Sequence, residues 1–217
     1  MRDLPILMNS AMVRALLRDE NPKTQTRRVV KGMALDWLQP GMFSPEYVAS
    51  ADSLLSPYGF AGDLLWVRET FIAFGRWETR FSEKKGRDEW HFVDMTLETG
   101  REYRFGGELP NAKRAGATPA WWKRPSIHMP RAASRITLEV TDVRIERLQD
   151  ISETDARAEG CPFTWDGKQY DPPPPEVDSW QGYGRASFSL LWTQINGPDS
   201  WYANPFVWVV EFKRIEA

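Results

Sequence analysis

One cysteine, Cys161, occurs in 217 residues. No intramolecular disulfide can form, and a reducing compartment is expected. The chain has two histidines, His91 and His128. Neither they nor Cys161 stand at the spacings of a zinc centre, so no metal site is expected. No apolar run reaches the roughly 18 residues needed to cross a bilayer. The segment Met1-Arg2-Asp3-Leu4-Pro5 lacks the apolar stretch of a signal peptide. A cytoplasmic protein with no membrane partner is expected. G-x-x-x-x-G-K-[ST] and G-x-G-x-x-G are absent, so no glycine-rich loop cradles a phosphate. G-x-S-x-G is absent too. No cofactor is expected. If the chain is an enzyme, its chemistry falls to Lys, Thr or Ser, Asp or Glu, Tyr and Arg.

The remaining composition is that of an ordinary globular protein. Apolar residues make up 41% and charged residues 27%, enough to bury a core over a single domain spanning 1–217. The net charge of -2 rules out a uniformly basic nucleic-acid binder. The charge is uneven, however. Segment 1–31 holds seven Lys/Arg against three Asp/Glu, segment 113–147 eight against three, and segment 148–180 two against eight. The two basic segments can line one anion-attracting face or be solvated surface. Tryptophan is abundant at 11; some belong to the core, but tryptophan can also stack on bases.

Along the chain, Pro5–Met8 reads as a first strand. Asn9 or Ser10 then caps a helix reaching about Asp19, with Met12, Ala15 and Leu16 on one face. Asn21-Pro22 stops it. Lys23–Val30 enters a turn or strand, and Gly62-Asp63 turns into the strand 64–67. Residues 72–125 show weak periodicity and read as a long irregular insertion with one hairpin. Residues 135–145 alternate with one slip, which predicts a strand with a bulge. Ser152 starts a short helix that Gly160 ends. Residues 161–182 form an acidic Pro-rich loop, with Pro172–Pro175 extended. Phe188, Leu191, Trp192 and Ile195 mark an amphipathic helix stopped by Gly197-Pro198. Residues 206–212 are nearly all apolar and read as a central strand. Short strands interrupted by helices, without βαβ alternation, predict an α+β fold: a small mixed β-barrel with flanking helices.

The chemistry gathers in Pro22-Lys23-Thr24-Gln25-Thr26-Arg27-Arg28. A helical turn would put Lys23 and Thr26 on one face as a base and a nucleophile. Arg27 and Arg28 would push on the lysine. The alternative is a solvated basic turn. Glu159 falls at the negative end of the Ser152 helix. Either it is exposed or a cation such as Lys23 offsets it.

The ordered set PILMNSAMVRALL (5–17), KTQTRRVVK (23–31), GDLLWVRETF (62–71), RPSIHMPRAASRITLEVTDVRIERLQDISETDARAEG (124–160), FSLLWTQING (188–197) and NPFVWVVEFKRI (204–215) covers over half the chain. It resembles the ASCH domain of the PUA-like superfamily, in its phage or prophage form. The resemblance implies a mixed barrel with a central cleft, and ligands of the RNA or modified-nucleoside kind. Members similar to N4-acetylcytidine amidohydrolases use a Lys-x-x-Thr pair and a late-helix Glu, which here fall on Lys23, Thr26 and Glu159. The implied reaction removes an acyl group from the exocyclic nitrogen of N4-acylated cytosine. Thr26 attacks or orients a water, Lys23 accepts its proton, and Glu159 holds Lys23 and protonates the leaving amine. Arg28 would contact the pyrimidine carbonyl or a phosphate, and Trp66 or Trp122 would stack on the base. Arg68 and Glu69, at a strand end, would reach the cleft or pair structurally. The competing readings are a non-catalytic RNA or modified-DNA binding module gripping phosphates through Arg27, Arg28, Lys123, Arg124 and Arg131, a metal-independent ribonuclease, and an accessory protein that docks partners through its Pro-rich loop.

Overall fold

The computed structural model describes residues 1–109, 118–161, 163–165, 168–170 and 184–215. Its elements run β1 (Asp3–Leu7), α1 (Ser10–Leu16), β2 (Gln25–Val29), α2 (Met33–Trp37), α3 (Pro45–Ala49), β3 (Leu64–Arg68), β4 (Phe71–Ser82), β5 (Arg87–Asp94), β6 (Ala120–Arg124), β7 (Thr137–Arg147), α4 (Glu153–Ala158), β8 (Phe163–Trp165), β9 (Lys168–Tyr170), α5 (Gly184–Asn196) and β10 (Phe206–Ile215). This is an α+β protein. No helix among the described residues is long and apolar enough to cross a membrane.

The chain divides into two compact units: Met1–Ile6 with Ala11–Val67 and Ile136–Ala217, and Leu7–Ser10 with Arg68–Arg135. The first is built on a five-stranded sheet ordered β1-β3-β7-β10-β2. The apolar run at 206–212 forms β10, between β7 and β2, and Val207, Val209 and Val210 are fully buried. The slip expected near residue 141 is present. Glu211 pairs with Asp142 and Phe212 with Val140, which leaves Thr141 as the extra residue of a bulge. Helices α4 and α5 cover one side of the sheet through Leu148, Ile151, Ala156, Cys161, Phe188, Trp192, Val207 and Val209.

Local chemistry explains the helix ends. Helix α1 stops at Leu16, short of the expected Asp19; Asn21 then turns with φ +48 ahead of Pro22. Asparagine tolerates that left-handed conformation better than most residues. Ser152 caps α4 by accepting from the Asp155 N–H at 3.0 Å, and Gly160 leaves it at φ +66. In α5, Phe188 and Trp192 are buried while Ile195 is half exposed.

The second unit departs from expectation. Segment 72–125 was expected to be irregular with one hairpin. The hairpin is there as β4–β5, but the segment is more regular than expected, since β6 also pairs with β4 in an antiparallel three-stranded sheet ordered β5-β4-β6. The signal was the alternation of Trp77, Thr79 and Phe81 with Arg76, Glu78 and Arg80. Both faces are partly exposed there, so no one-sided apolar stripe announces the strand. Segment 161–182, expected as a loop, opens with the short hairpin β8–β9. Pro172–Pro175 lies outside the described residues.

Candidate active site

Strand β2 positions the site. In an extended strand, side chains alternate between faces. Register puts Gln25, Arg27 and Val29 on the same side as Glu211, Val209 and Val207 of β10, and as Asp142, Arg144 and Glu146 of β7. That side meets α4. Thr26 lies on the opposite side, across from Val210.

Lys23 precedes the strand. Its backbone N–H donates to the carbonyl of Ala15 at 3.0 Å, and that of Thr24 to Ala158 at 2.8 Å. These bonds dock the segment between α1 and the end of α4. Gly160 makes the approach possible, because a Cβ there would lie 2.9 Å from the Cβ of Lys23 and 3.0 Å from that of Ala15. The Lys23 ammonium donates to Glu159 Oε2 at 2.6 Å and to the Glu159 carbonyl at 2.7 Å. The two side chains are 1% and 5% exposed. Glu159 is the C-cap of α4. Its unfavourable place at the helix's negative end is offset by this ammonium. Two residues 136 apart in the chain thus form a sheltered ion pair.

Arg27 lies beside them. Nη1 approaches Glu159 Oε1 at 3.4 Å, and Nη2 donates to Glu146 at 3.0 Å and to Asp155 at 2.9 Å. Its side chain is completely buried. Arg27 was a candidate for contacting substrate or phosphate. It is instead taken up by three protein carboxylates, because its alternation in β2 turns it toward α4. Arg144 adds a second cation, bonded to Glu146 and Glu211, and Gln25 bridges Asp155 and Glu211. Burial pulls the Arg144 guanidinium down, but Glu146 and Glu211 outweigh it and hold it above its ordinary value. Burial pushes the Asp155 carboxyl up, and bonds from Gln25 and Arg27 with the charge of Arg144 hold it below its ordinary value. Burial, with Glu159 next, pushes the Cys161 thiol up to about 12 against Lys23, Arg27 and Arg18. Sequence reading missed Gln25, Arg144, Glu146, Asp155 and Glu211. The signal for Gln25, Arg144 and Glu146 was polar residues two apart within a strand, Gln25 with Arg27 and Arg144 with Glu146; Glu211 is a lone carboxylate in the apolar β10, and Asp155 lies on α4.

The placing of Lys23 and Thr26 on one helical face is corrected. Residues 25–29 are strand, not helix. The Thr26 hydroxyl is fully buried and has no hydrogen-bond partner, so it is not bonded to Lys23. Arg28 shares the Thr26 side of the strand and approaches Met12 Sδ at 3.8 Å. It also acts on Tyr58, whose phenol burial pushes up while Arg28 pulls it down. Trp66 is half-buried in β3, paired with Thr137.

The other candidates lie in the second unit. Arg68 donates to the carbonyls of Ser126 and Ile127. Glu69 is buried and accepts two bonds from Arg135, at 2.9 and 3.1 Å. Arg68 and Glu69 therefore each have other partners. Trp122 donates its indole N–H to Gly75 at 3.0 Å and packs edge-on against Trp77. Arg131 is exposed, on a 3-10 turn.

Among the described residues no group of three or more His, Cys, Asp or Glu is arranged to hold a metal ion. Comparison of the chain with known protein families, with curated proteins and with solved structures finds no match.

Proposed function

We propose that the protein is an amidohydrolase that removes an acyl group from the exocyclic nitrogen of N4-acylated cytosine nucleosides, with Lys23 and Glu159 as its proton-transfer pair. The observation that carries this reading is the 2.6 Å contact between these two buried groups. A buried ion pair is seldom more stabilising than a packed apolar pair of the same size. Its presence supports a chemical role. The reading brings with it a small PUA-like barrel built on the five-stranded sheet and an ASCH-type relationship.

The reaction needs a base and an acid. A proton shift within the pair gives a neutral amine on Lys23 and a neutral acid on Glu159. The amine takes a proton from water as the water oxygen bonds to the acyl carbon. The acid gives its proton to the exocyclic nitrogen as the carbon–nitrogen bond breaks. The products are a carboxylic acid and the deacylated cytosine nucleoside, and the pair ends as the ammonium and carboxylate it began as. Thr26 takes no proton in this scheme, because its hydroxyl stands on the other side of β2. Arg27 and Asp155 act as positioning residues, fixing the second oxygen of Glu159.

The test is release of cytidine from N4-acylated cytidines of varied acyl size, followed by ultraviolet absorbance. Turnover is expected, lost in Lys23→Ala and Glu159→Gln and retained in Thr26→Val. Absence of turnover with every acyl group, or full turnover in Lys23→Ala, removes the reading.

A further inference from the structure

The second unit holds fourteen Lys/Arg against nine Asp/Glu, a net of +5. The whole chain is -2, so the remainder carries -7. The cationic excess is therefore a property of this unit.

Its three-stranded sheet has two unlike faces. Register puts Trp77, Thr79 and Phe81 of β4 on one face with Asp88, Trp90 and Phe92 of β5 and with Trp122 and Arg124 of β6. Contacts agree. Trp77 meets Phe92 and Trp122 edge-on, with centroids 5.3 and 6.1 Å apart, and the Arg124 guanidinium lies 4.7 Å over Trp77 and 4.4 Å over Phe92. Toward the hairpin tip the row continues in Trp90 and Phe81, 68% and 65% exposed. The glutamates of the hairpin's paired strands lie on the far face. Glu78 pairs with Arg76 and Arg80, and Glu89 with Lys85 and Arg87. The aromatic face carries only two carboxylates among the described residues of these strands. Asp94 accepts from the Tyr103 hydroxyl at 3.1 Å, and Asp88 sits opposite Phe81.

At the base of this face the cations converge. Arg68 donates to the carbonyls of Ser126 and Ile127, and so stands against the turn that ends at His128. Burial pulls the exposed imidazole of His128 below its ordinary value, and Arg124 and then Arg68 act in the same direction. Both charges acting on His128 are positive.

We propose that this face of the second unit binds single-stranded nucleic acid, with phosphates at Arg124, His128 and Arg68 and bases stacked on Trp90 and Phe81. The arrangement suits a single strand. Stacked rings beside a cationic groove hold bases without reading their edges, and guanidinium–aromatic contacts extend the platform. The surface lies in the unit that does not contain the Lys23–Glu159 pair, so it stands whether or not that pair is catalytic.

The test is fluorescence anisotropy of a labelled short uridine oligomer with the full chain, with uridine, its monophosphate and inorganic phosphate as competitors. Oligomer binding is expected, weakening steeply between about 50 and 200 mM salt. Trp90→Ser with Phe81→Ser should weaken it about tenfold or more. Both side chains are exposed, so the double variant keeps its fold. Arg124→Gln should flatten the salt dependence. The proposal is overturned if the oligomer does not bind, binds no more tightly than the monophosphate, or binds the double variant as well as the parent. It is also overturned if sedimentation shows a dimer that the double variant dissolves while no oligomer binds, since the aromatic face then meets a second copy.

Discussion

Replacing Lys23 by methionine removes the ammonium and keeps the bulk of the side chain. The contact to be lost is 2.6 Å long, between side chains 1% and 5% exposed. Coulomb's law with an effective dielectric of about 20 gives about 6 kcal/mol for unit charges at that separation. Desolvation of both ions offsets several kcal/mol of it. What the single substitution costs is the stranding of the Glu159 carboxylate, typically about 3–5 kcal/mol. Arg27 remains 3.4 Å from its other oxygen, so the lower end applies, about 3 kcal/mol. For a chain of this size that is a fall in Tm of about 6–12 °C. Glu159→Met strands the ammonium in turn and should cost a similar amount. Lys23→Met with Glu159→Met leaves neither charge unpaired and should cost less than the sum of the singles. Urea denaturation of the three variants measures all of this. Single losses below about 1 kcal/mol, or a double loss equal to the sum, would refute the reasoning, because the pair would then be solvated in solution.

Three further outcomes follow from neighbouring residues. The folded Asp155 carboxyl lies below its ordinary value. Its stabilisation is therefore present above the unfolded value near 4, and is lost as pH falls through the lower folded value. Stability measured against pH should lose part of its acid-side slope in Asp155→Asn, and an unchanged slope contradicts the network. Gly160→Ala forces a side chain onto a backbone at φ +66 and against Lys23, and should cost about 1–3 kcal/mol by thermal denaturation; a neutral result would mean the Lys23 docking is wrong. Cys161, 1% exposed with its thiol pushed up to about 12, should resist a thiol reagent at pH 8 until the chain is unfolded. Stoichiometric labelling of the native protein would show that it is not buried.

Local rules made much of the fold legible. Gly160 ended its helix, Ser152 began it, and the slip in alternation near residue 141 marked a real bulge, whereas α1 stopped at Leu16, well before Pro22. The apolar run at 206–212 announced a strand buried on both faces. These signals are carried by neighbours in the chain, where turn chemistry and side-chain period act directly. Within 72–125 one hairpin was expected, but the length of β4–β5 and the third strand β6 were not legible, because the two faces of the ribbon are aromatic and ionic rather than buried and exposed.

Sequence by itself determined which residue types were present for chemistry, and that a carboxylate at the end of α4 needed either solvent or a cation. Tertiary structure decided which of these occurred. Pairing β2 against β10 fixed the parity of every residue in the basic segment, sending Arg27 toward α4 and Thr26 away from it. A strand's hydrogen-bond partner sets that parity, and the partner here lies some 180 residues further along the chain, beyond the reach of any local pattern.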